Sequence, residues 1–184
     1  MKKYIGPSIR MTIVMLVLCC VIYFGIITLI GKLAPGEGNG ETLSSGGRTV
    51  GYALIGQKFT QDKYFWGRPS AVDYNAAGSA GSNKAASNPD YIKTVQERID
   101  TFLAHNPGVM KNQIPAEMIT ASGSGLDPDI SPASAYLQVA RVARARKLSL
   151  ASLQSLLRQH IVKHALGPDI VNVLKLNIAL DNLK

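Results

Sequence analysis

The 184-residue sequence has no cysteine outside one apolar segment, a single tryptophan, three histidines and only twelve acidic residues. Each shortage excludes something. Cys19 and Cys20 both lie in the apolar segment, so the rest of the chain has neither a disulfide nor a cysteine metal site. Adjacent cysteines in such a segment serve as small, adaptable apolar residues. His160 and His164 stand four apart, but HIVKH lacks a metalloprotease glutamate and no third ligand is evident. They read as surface or capping histidines. No run of Lys and Arg is interleaved with aromatics, which argues against nucleic acid as a partner.

What is present begins with Met11 to Ile30, twenty residues without a charge. At about 1.5 Å per residue such a helix spans about 30 Å, the thickness of a bilayer core. A cleaved secretory signal has an apolar core of only about 7–15 residues. Ala34-Pro35-Gly36 is a loose processing site, but the run is too long, and an uncleaved anchor is expected. Lys2, Lys3 and Arg10 precede it; Lys32 and Arg48 follow, with Glu37 and Glu41 between them. This bias places the N-terminus inside and the large domain outside the cytoplasm. The net charge is +8. Setting aside Lys2, Lys3, Arg10 and Lys32, the outer part is only mildly basic. Its densest cluster, Arg141, Arg144, Arg146 and Lys147, reads as a solvated helix end.

The expected organisation is a cytoplasmic tail over 1–10, a transmembrane helix over 11–31, a flexible tether over 32–47 and one extracytoplasmic α+β domain over 48–184. That domain should hold a few strands and about four helices. The tether reading rests on the glycines of APGEGNGETLSSGG. Val50, Tyr52 and Leu54 alternate as one side of a strand closed by Gly56. Ser70 to Asn88 is a long irregular run of small residues, of a kind that is often functional. Asn88-Pro89 caps a helix with Ile92, Val95, Ile99, Phe102 and Leu103 as its stripe, stopped by Asn106-Pro107-Gly108. Ser131-Pro132 starts a second, with Tyr136, Val139, Ala140 and Ala143 inward. A third starts near Ser149, with Leu153, Leu156, Leu157 and Ile161 as its stripe and Gly167-Pro168 as its end. Residues 170–183 fit both periods; a short strand running into a helix is favoured.

Ala121 to Pro132, ASGSGLDPDISP, looks richest in chemistry, yet each specific reading fails. A P-loop needs G-x-x-x-x-G-K-[ST]. The nearest approach is GYALIGQK, Gly51 to Lys58, with Gln57 where lysine belongs. Ser124 has glycines on both sides, the wrong spacing for a nucleophile elbow. Asp127 and Asp129 lack the glycine and distal glutamate of a calcium loop. What remains is a turn feeding a helix, whose exposed face is open to a partner.

The motifs ALIGQKF, YFWGRPSAVDYN, GSAGSN with NPD, SGSGLDPDISP, QVARVARAR and LGPDIVNVLKLNIALD occur in this order behind an N-terminal span. Together they resemble the C subunit of the Kdp-type potassium-transporting P-type ATPase, the KdpC family, over nearly the whole chain. The resemblance implies a single-pass subunit of the cell (inner) membrane. Its partners would be a channel-like potassium-binding subunit, a P-type ATPase subunit and a very small membrane peptide. ATP and potassium would be handled by the complex, with no catalytic residue and no bound cofactor in this chain. Two roles are implied: assembly and stability of the complex, or a catalytic chaperone that raises the ATP affinity of the pump subunit. The second conflicts with a domain outside the cytoplasm, where ATP is absent. One departure is visible: the family reads Asp-Pro-His-Ile-Ser-Pro where this chain has Asp129. That argues against essential imidazole chemistry at the turn.

The candidate partner contacts are Tyr64, Phe65, Trp66 and Arg68, because aromatics beside an arginine anchor interfaces. Phe65 and Trp66 equally suit a modest core. Asn75, Ser82 and Asn83 join them from the motifs, and Gly123, Ser124, Gly125 and Asp127 from the turn. In the span, Gly25, Thr28 and Gly31 form a small-residue strip where another helix could approach.

Overall fold

The computed structural model describes residues 2–34 and 36–183, apart from the side chain of Lys2. Met1 and Lys184, at the ends of the expected tail and domain, and Pro35 of the loose processing site lie outside the described residues. The chain divides into two units, one up to Glu41 and one from Thr42 onward.

The first unit is helical almost throughout. Helix α1 (Lys2–Leu16) passes through a π-helical stretch, Val17–Ile22, into α2 (Tyr23–Gly31). Lys3–Gly31 is long and apolar enough to cross a membrane. Helix therefore begins well before Met11. The Thr28 hydroxyl donates to the Phe24 carbonyl at 2.8 Å, so this polar group of the strip is satisfied within its own helix. Gly25 and Gly31 face open space.

The second unit is α+β. Strands β1 (Thr42–Ser45) and β2 (Arg48–Tyr52) form an antiparallel ribbon around Gly46-Gly47, both with positive φ. This ribbon takes up the last residues of the stretch expected to be tether. Helix α3 (Pro89–His105) follows the irregular run. Strand β3 (Asp129–Ile130), helices α4 (Pro132–Arg146) and α5 (Leu150–Gln159), strands β4 (Ile161–Val162) and β5 (Ile170–Asn172), and helix α6 (Val173–Asp181) complete it. β5 is central in a three-stranded antiparallel sheet of order β3-β5-β4. The caps act as their residue types dictate. Asn88, Ser131, Ser149 and Asn172 each accept a backbone amide of the first helical turn.

Four expectations are corrected. In β2, Val50 and Tyr52 face solvent, and Leu54 lies beyond the strand and is exposed too. The small residues turn inward instead: Ala53 is buried, and a side chain at Gly51 would press on Leu174. The ribbon packs too closely for large residues on that face. In α4, Tyr136 and Ala140 are exposed, and Ala135, Gln138, Val139, Arg141, Val142 and Ala143 are buried. α5 ends at Gln159, not at Gly167-Pro168, and Ile161 pairs with Val171 in the sheet. Arg141, expected to be solvated, is 3% exposed.

The corrections at α4 and Arg141 share a cause. Residues 61–66 have no regular structure of their own, and buried side chains satisfy their backbone. The Phe65 amide donates to Asn177 Oδ1 at 2.9 Å, and Asn177 Nδ2 donates back to the Phe65 carbonyl at 3.0 Å. Gln138 treats Trp66 alike, at 2.8 and 3.1 Å. Arg141 Nη1 donates to the carbonyls of Asp62 and Tyr64 at 2.8 and 3.0 Å. Its Nη2 donates to Gln138 Oε1 at 2.6 Å and its Nε to Asn106 Oδ1 at 3.1 Å. The guanidinium also lies 4.2 Å from the Trp66 ring centroid. Helix α4 is thus rotated to bring Gln138 and Arg141 inward. Phe65, at 0% exposure, is carried into the core beside Val139, Val142, Leu157, Val171, Leu176 and Leu180. Burial pushes the Arg141 pKa down to about 10, opposed by Asp62, so it stays charged at neutral pH.

Removing this cation leaves buried carbonyls without donors. Arg141→Met should cost about 3–5 kcal/mol, and Arg141→Lys, which keeps the charge but loses the planar fork, should recover only part. Urea unfolding of the full chain in detergent micelles, followed by emission of the single tryptophan, measures both.

Candidate functional site

A cleft of about 400 Å³ with both polar and apolar lining lies between α3 and residues 58–74. Phe59, Trp66, Tyr74, Phe102 and Met118 supply its apolar lining; Lys58, Asp73, Thr94, Glu97, Arg98 and Thr101 supply polar groups. Lys58 Nζ and Asp73 Oδ1 pair at 2.6 Å. Arg98 Nη1 donates to the Ile119 carbonyl at 3.0 Å. Asp73 and Tyr74 both hold positive φ, 50° and 60°, rare for residues with side chains. Such strain clusters at binding sites. The Tyr74 hydroxyl donates to the Arg68 carbonyl, which fixes the ring. Burial raises the Tyr74 pKa, Asp73 adds to it and Arg98 opposes.

Trp66 is held from several sides. Its indole Nε1 donates to the Gln61 carbonyl at 3.1 Å, Arg141 stacks on it, and the His105 ring meets it edge-on at 4.9 Å. His105 Nδ1 in turn lies 2.7 Å from Asp62 Oδ1. A rigid, half-buried aromatic beside a cleft suits recognition, because little entropy is left to lose on binding.

The other sequence candidates are distributed around the unit. Tyr64 donates to Asp181 Oδ2 at 3.1 Å and carries the Arg146 guanidinium 4.9 Å from its ring centroid. Burial raises its pKa, with Asp181 adding and Arg146 opposing. Arg68 pairs with Asp127 at 2.8 Å. That pair lines a separate hollow of about 220 Å³ with Glu117, Asp129 and Asp169. Asn75 closes a turn on Val72 and accepts the Ala77 amide. Ser82 and Asn83 are exposed, Asn83 with a φ of 51°. Gly123 and Ser124 are exposed, whereas Gly125 is buried with a φ of 69°. A Cβ on Gly125 would come within 2.7 Å of the Ala80 carbonyl oxygen and of Val72. Here the irregular run and the turn press together, and Ser79 Oγ donates to the Ser124 carbonyl at 3.0 Å.

The chemistry-bearing motifs are occupied by structure. Gly56 donates to the Leu126 carbonyl at 2.7 Å, and Gln57 Nε2 donates to that of Val50 at 3.0 Å. Gly51 to Lys58 is thus a strand and turn, not a loop opening a helix. Ser124 Oγ accepts the Leu126 amide at 3.1 Å. Nδ1 of His105, His160 and His164 meets Asp62 and the carbonyls of Leu156 and Pro168 respectively, and among the described residues no hydrogen bond joins a histidine to a serine. Among the described residues no group of three or more His, Cys, Asp or Glu is placed to hold a metal.

Sequence reasoning missed the α3 side of the cleft, Thr94, Glu97, Arg98 and Thr101. A polar helix face gives no sign of the wall it builds. It also missed Arg141, although Gln138 and Arg141 fall within the apolar spacing of Ala135, Val139 and Val142.

A helix long and apolar enough to cross a membrane, followed by an α+β unit, is the layout of a single-pass membrane protein. The comparisons narrow it. Residues 5–182 match the family KdpC: K+-transporting ATPase, c chain. The chain is 58% identical to the Potassium-transporting ATPase KdpC subunit of Flavobacterium psychrophilum, over 99% of this chain and all of that protein. The protein of the same name from Flavobacterium johnsoniae is 56% identical over 99% of this chain and all of that protein. That from Bacteroides fragilis is 49% identical over 99% and 98%. The chain therefore belongs to the family of c-chain subunits of K+-transporting ATPases.

Burial pushes the Asp129 carboxyl up; Asp127 pushes the same way, and Asn172, Lys175 and His164 oppose. Glu117 differs: burial raises it, but hydrogen bonds from Ser134 and Ser131, with Arg68 nearby, outweigh burial and hold it below the usual range. A raised folded pKa means that charged Asp129 opposes folding at neutral pH, a penalty relieved as pH falls toward the unfolded value. Asp129→Asn should raise the urea midpoint at pH 7, and the gain should shrink as pH falls toward 4. Glu117→Gln should lower the midpoint at pH 7, with the loss fading as pH drops through the folded pKa of Glu117. Flat differences across pH would refute both assignments.

Proposed function

We propose that this chain is the non-catalytic accessory subunit of an ATP-driven potassium import complex. It stabilises the assembly of a channel-like potassium-binding subunit and a P-type ATPase subunit, together with a small membrane peptide. The anchor crosses the cell (inner) membrane with its N-terminus in the cytoplasm, and the α+β unit lies outside. The observation that carries the reading is that groups able to do chemistry are engaged in holding the fold, while a rigid Trp66 stands at an open cleft. In this reading the cleft receives an extracytoplasmic loop of another subunit, with Trp66 as the anchor and Tyr74 and Arg98 beside it.

The alternative is a catalytic chaperone that raises the ATP affinity of the pump subunit. It needs a phosphate-binding element in contact with cytoplasmic nucleotide. Lys58, the terminal lysine of the nearest motif, is paired with Asp73, and Gln57 is spent on Val50. Assembly has the greater support.

Deleting residues 48–184 should abolish high-affinity potassium uptake, and undiminished uptake would remove the reading. Thr101→Trp, at the exposed rim of the cleft, should block docking with little effect on folding. Co-purification of the other subunits should fall at least tenfold while the urea midpoint stays near that of the wild type. Full retention would place the contact elsewhere. ATP titration of the complex with and without this chain separates the roles: assembly predicts an unchanged ATP affinity for the intact pump subunit.

A further inference from the structure

The chain holds nine asparagines, and one of them, Asn39, is followed by glycine. The pair lies outside the cleft and the turn, in the glycine-rich stretch between the span and the ribbon. An asparagine side chain is a latent electrophile. Its Cγ is open to attack by the backbone nitrogen of the next residue, which closes a five-membered ring. Two things hold that reaction back. A Cβ on the next residue crowds the approaching nitrogen, and a folded backbone keeps the nitrogen in a hydrogen bond or out of reach.

At eight of the nine positions at least one brake is on. Asn88 and Asn106 precede proline, whose nitrogen has no proton to lose. The other six precede residues that carry a Cβ. Asn172 and Asn177 also spend their Nδ2 on the carbonyls of Ala53 and Phe65, at 2.8 and 3.0 Å.

At Asn39 both brakes are off. Gly40 has no Cβ, and among the described residues its amide has no backbone acceptor. Both residues are exposed. Their surroundings are local turns: the Glu37 amide donates to the Ala34 carbonyl at 2.9 Å and the Asn39 amide to that of Gly36 at 2.8 Å. Gly36, Gly38 and Gly40 all hold positive φ, so every second residue is one with little backbone restraint. Residues 36–40 belong to no helix or strand, and turning the Asn39–Gly40 peptide disrupts no cooperative structure.

We propose that Asn39-Gly40 is a self-modification site, where asparagine converts without an enzyme to a mixture of aspartate and isoaspartate. The deprotonated Gly40 nitrogen attacks Asn39 Cγ. The N–Cγ bond forms, the Cγ–Nδ2 bond breaks, and Nδ2 takes up a proton and leaves as ammonia. Water then opens the succinimide. Opening at Cγ gives aspartate. Opening at the main-chain carbonyl carbon of residue 39 gives isoaspartate, whose backbone runs through Cβ and Cγ. One water is consumed and one ammonia released, with no change of oxidation state. Either product is a carboxylate at neutral pH. It joins Glu37 and Glu41 against Lys32, so the net charge of residues 32–41 goes from −1 to −2. Isoaspartate also adds one atom to the main chain between the span and the folded unit. The inference is independent of the assembly reading.

The test uses the full chain in detergent micelles, incubated in heavy-oxygen water at neutral and mildly alkaline pH and then digested with trypsin in ordinary water. The tryptic peptide of residues 33–48 contains no other side-chain amide, so its deamidation reports Asn39 alone. Synthetic peptides of the same sequence with asparagine, aspartate or isoaspartate at position 39 mark the elution of each form. The expected result is two products, isoaspartate exceeding aspartate, each with one heavy oxygen. Their rate should rise with pH and stay within threefold of that of the free asparagine peptide. Gly40→Ala should slow both at least tenfold, and Asn39→Gln should remove both. An unmodified peptide from the full chain, under conditions where the free peptide reacts, overturns the proposal by showing that the turn protects Asn39. Aspartate without isoaspartate overturns the ring-closing route, and an equal rate in Gly40→Ala overturns the role given to the glycine.

Discussion

The guanidinium of Arg141 is the constraint around which the folded unit is arranged. It gathers two backbone carbonyls from an irregular segment, the side-chain amides of Gln138 in α4 and of Asn106 just past the end of α3, and the face of the single tryptophan. A buried cation of this kind is poor evidence of net stability, because its desolvation costs as much as its contacts return. Its value is in specificity. A planar fork has few ways to satisfy five N–H groups, so the placement of α4, α3 and residues 61–66 becomes unique together. Gln138 and Asn177 extend the same logic by treating the Phe65-Trp66 backbone as a sheet would treat a strand. The cleft inherits its rigidity from this network.

What was legible in the sequence follows from local rules. Helix starts at Asn88, Ser131 and Ser149 were readable because a cap acts on amides two or three residues away. The apolar span was readable from length and composition alone. The strand-to-helix change after Asn172 was the favoured reading of an ambiguous tail, and Asn172 as cap explains it. The resemblance to the c-chain family was legible because long motifs occur in order, and the comparisons show the membership.

What was not legible depends on contacts distant in the chain. Arg141 looked like the basic end of a helix because its acceptors lie some 80 residues upstream. Tyr136 looked inward because helical period alone does not fix which stripe is buried once two polar residues share it. In the ribbon, the alternation of Val50, Tyr52 and Leu54 was real, but close packing reserved the inner face for Gly51 and Ala53. The same limit hid the cleft, whose walls come from segments that sequence reading treats separately.

The amide clamps also impose an order in time. Phe65 and Trp66 emerge during synthesis long before their partners, since Gln138 lies 72 residues and Asn177 112 residues downstream. At typical elongation rates of about 5–20 residues per second, an apolar pair that cannot yet be buried waits on the order of 5–20 s for closure. The segment that completes the native unit is therefore its most vulnerable part while the chain is unfinished. Truncation before α6 would leave a nearly whole domain with its central phenylalanine unseated.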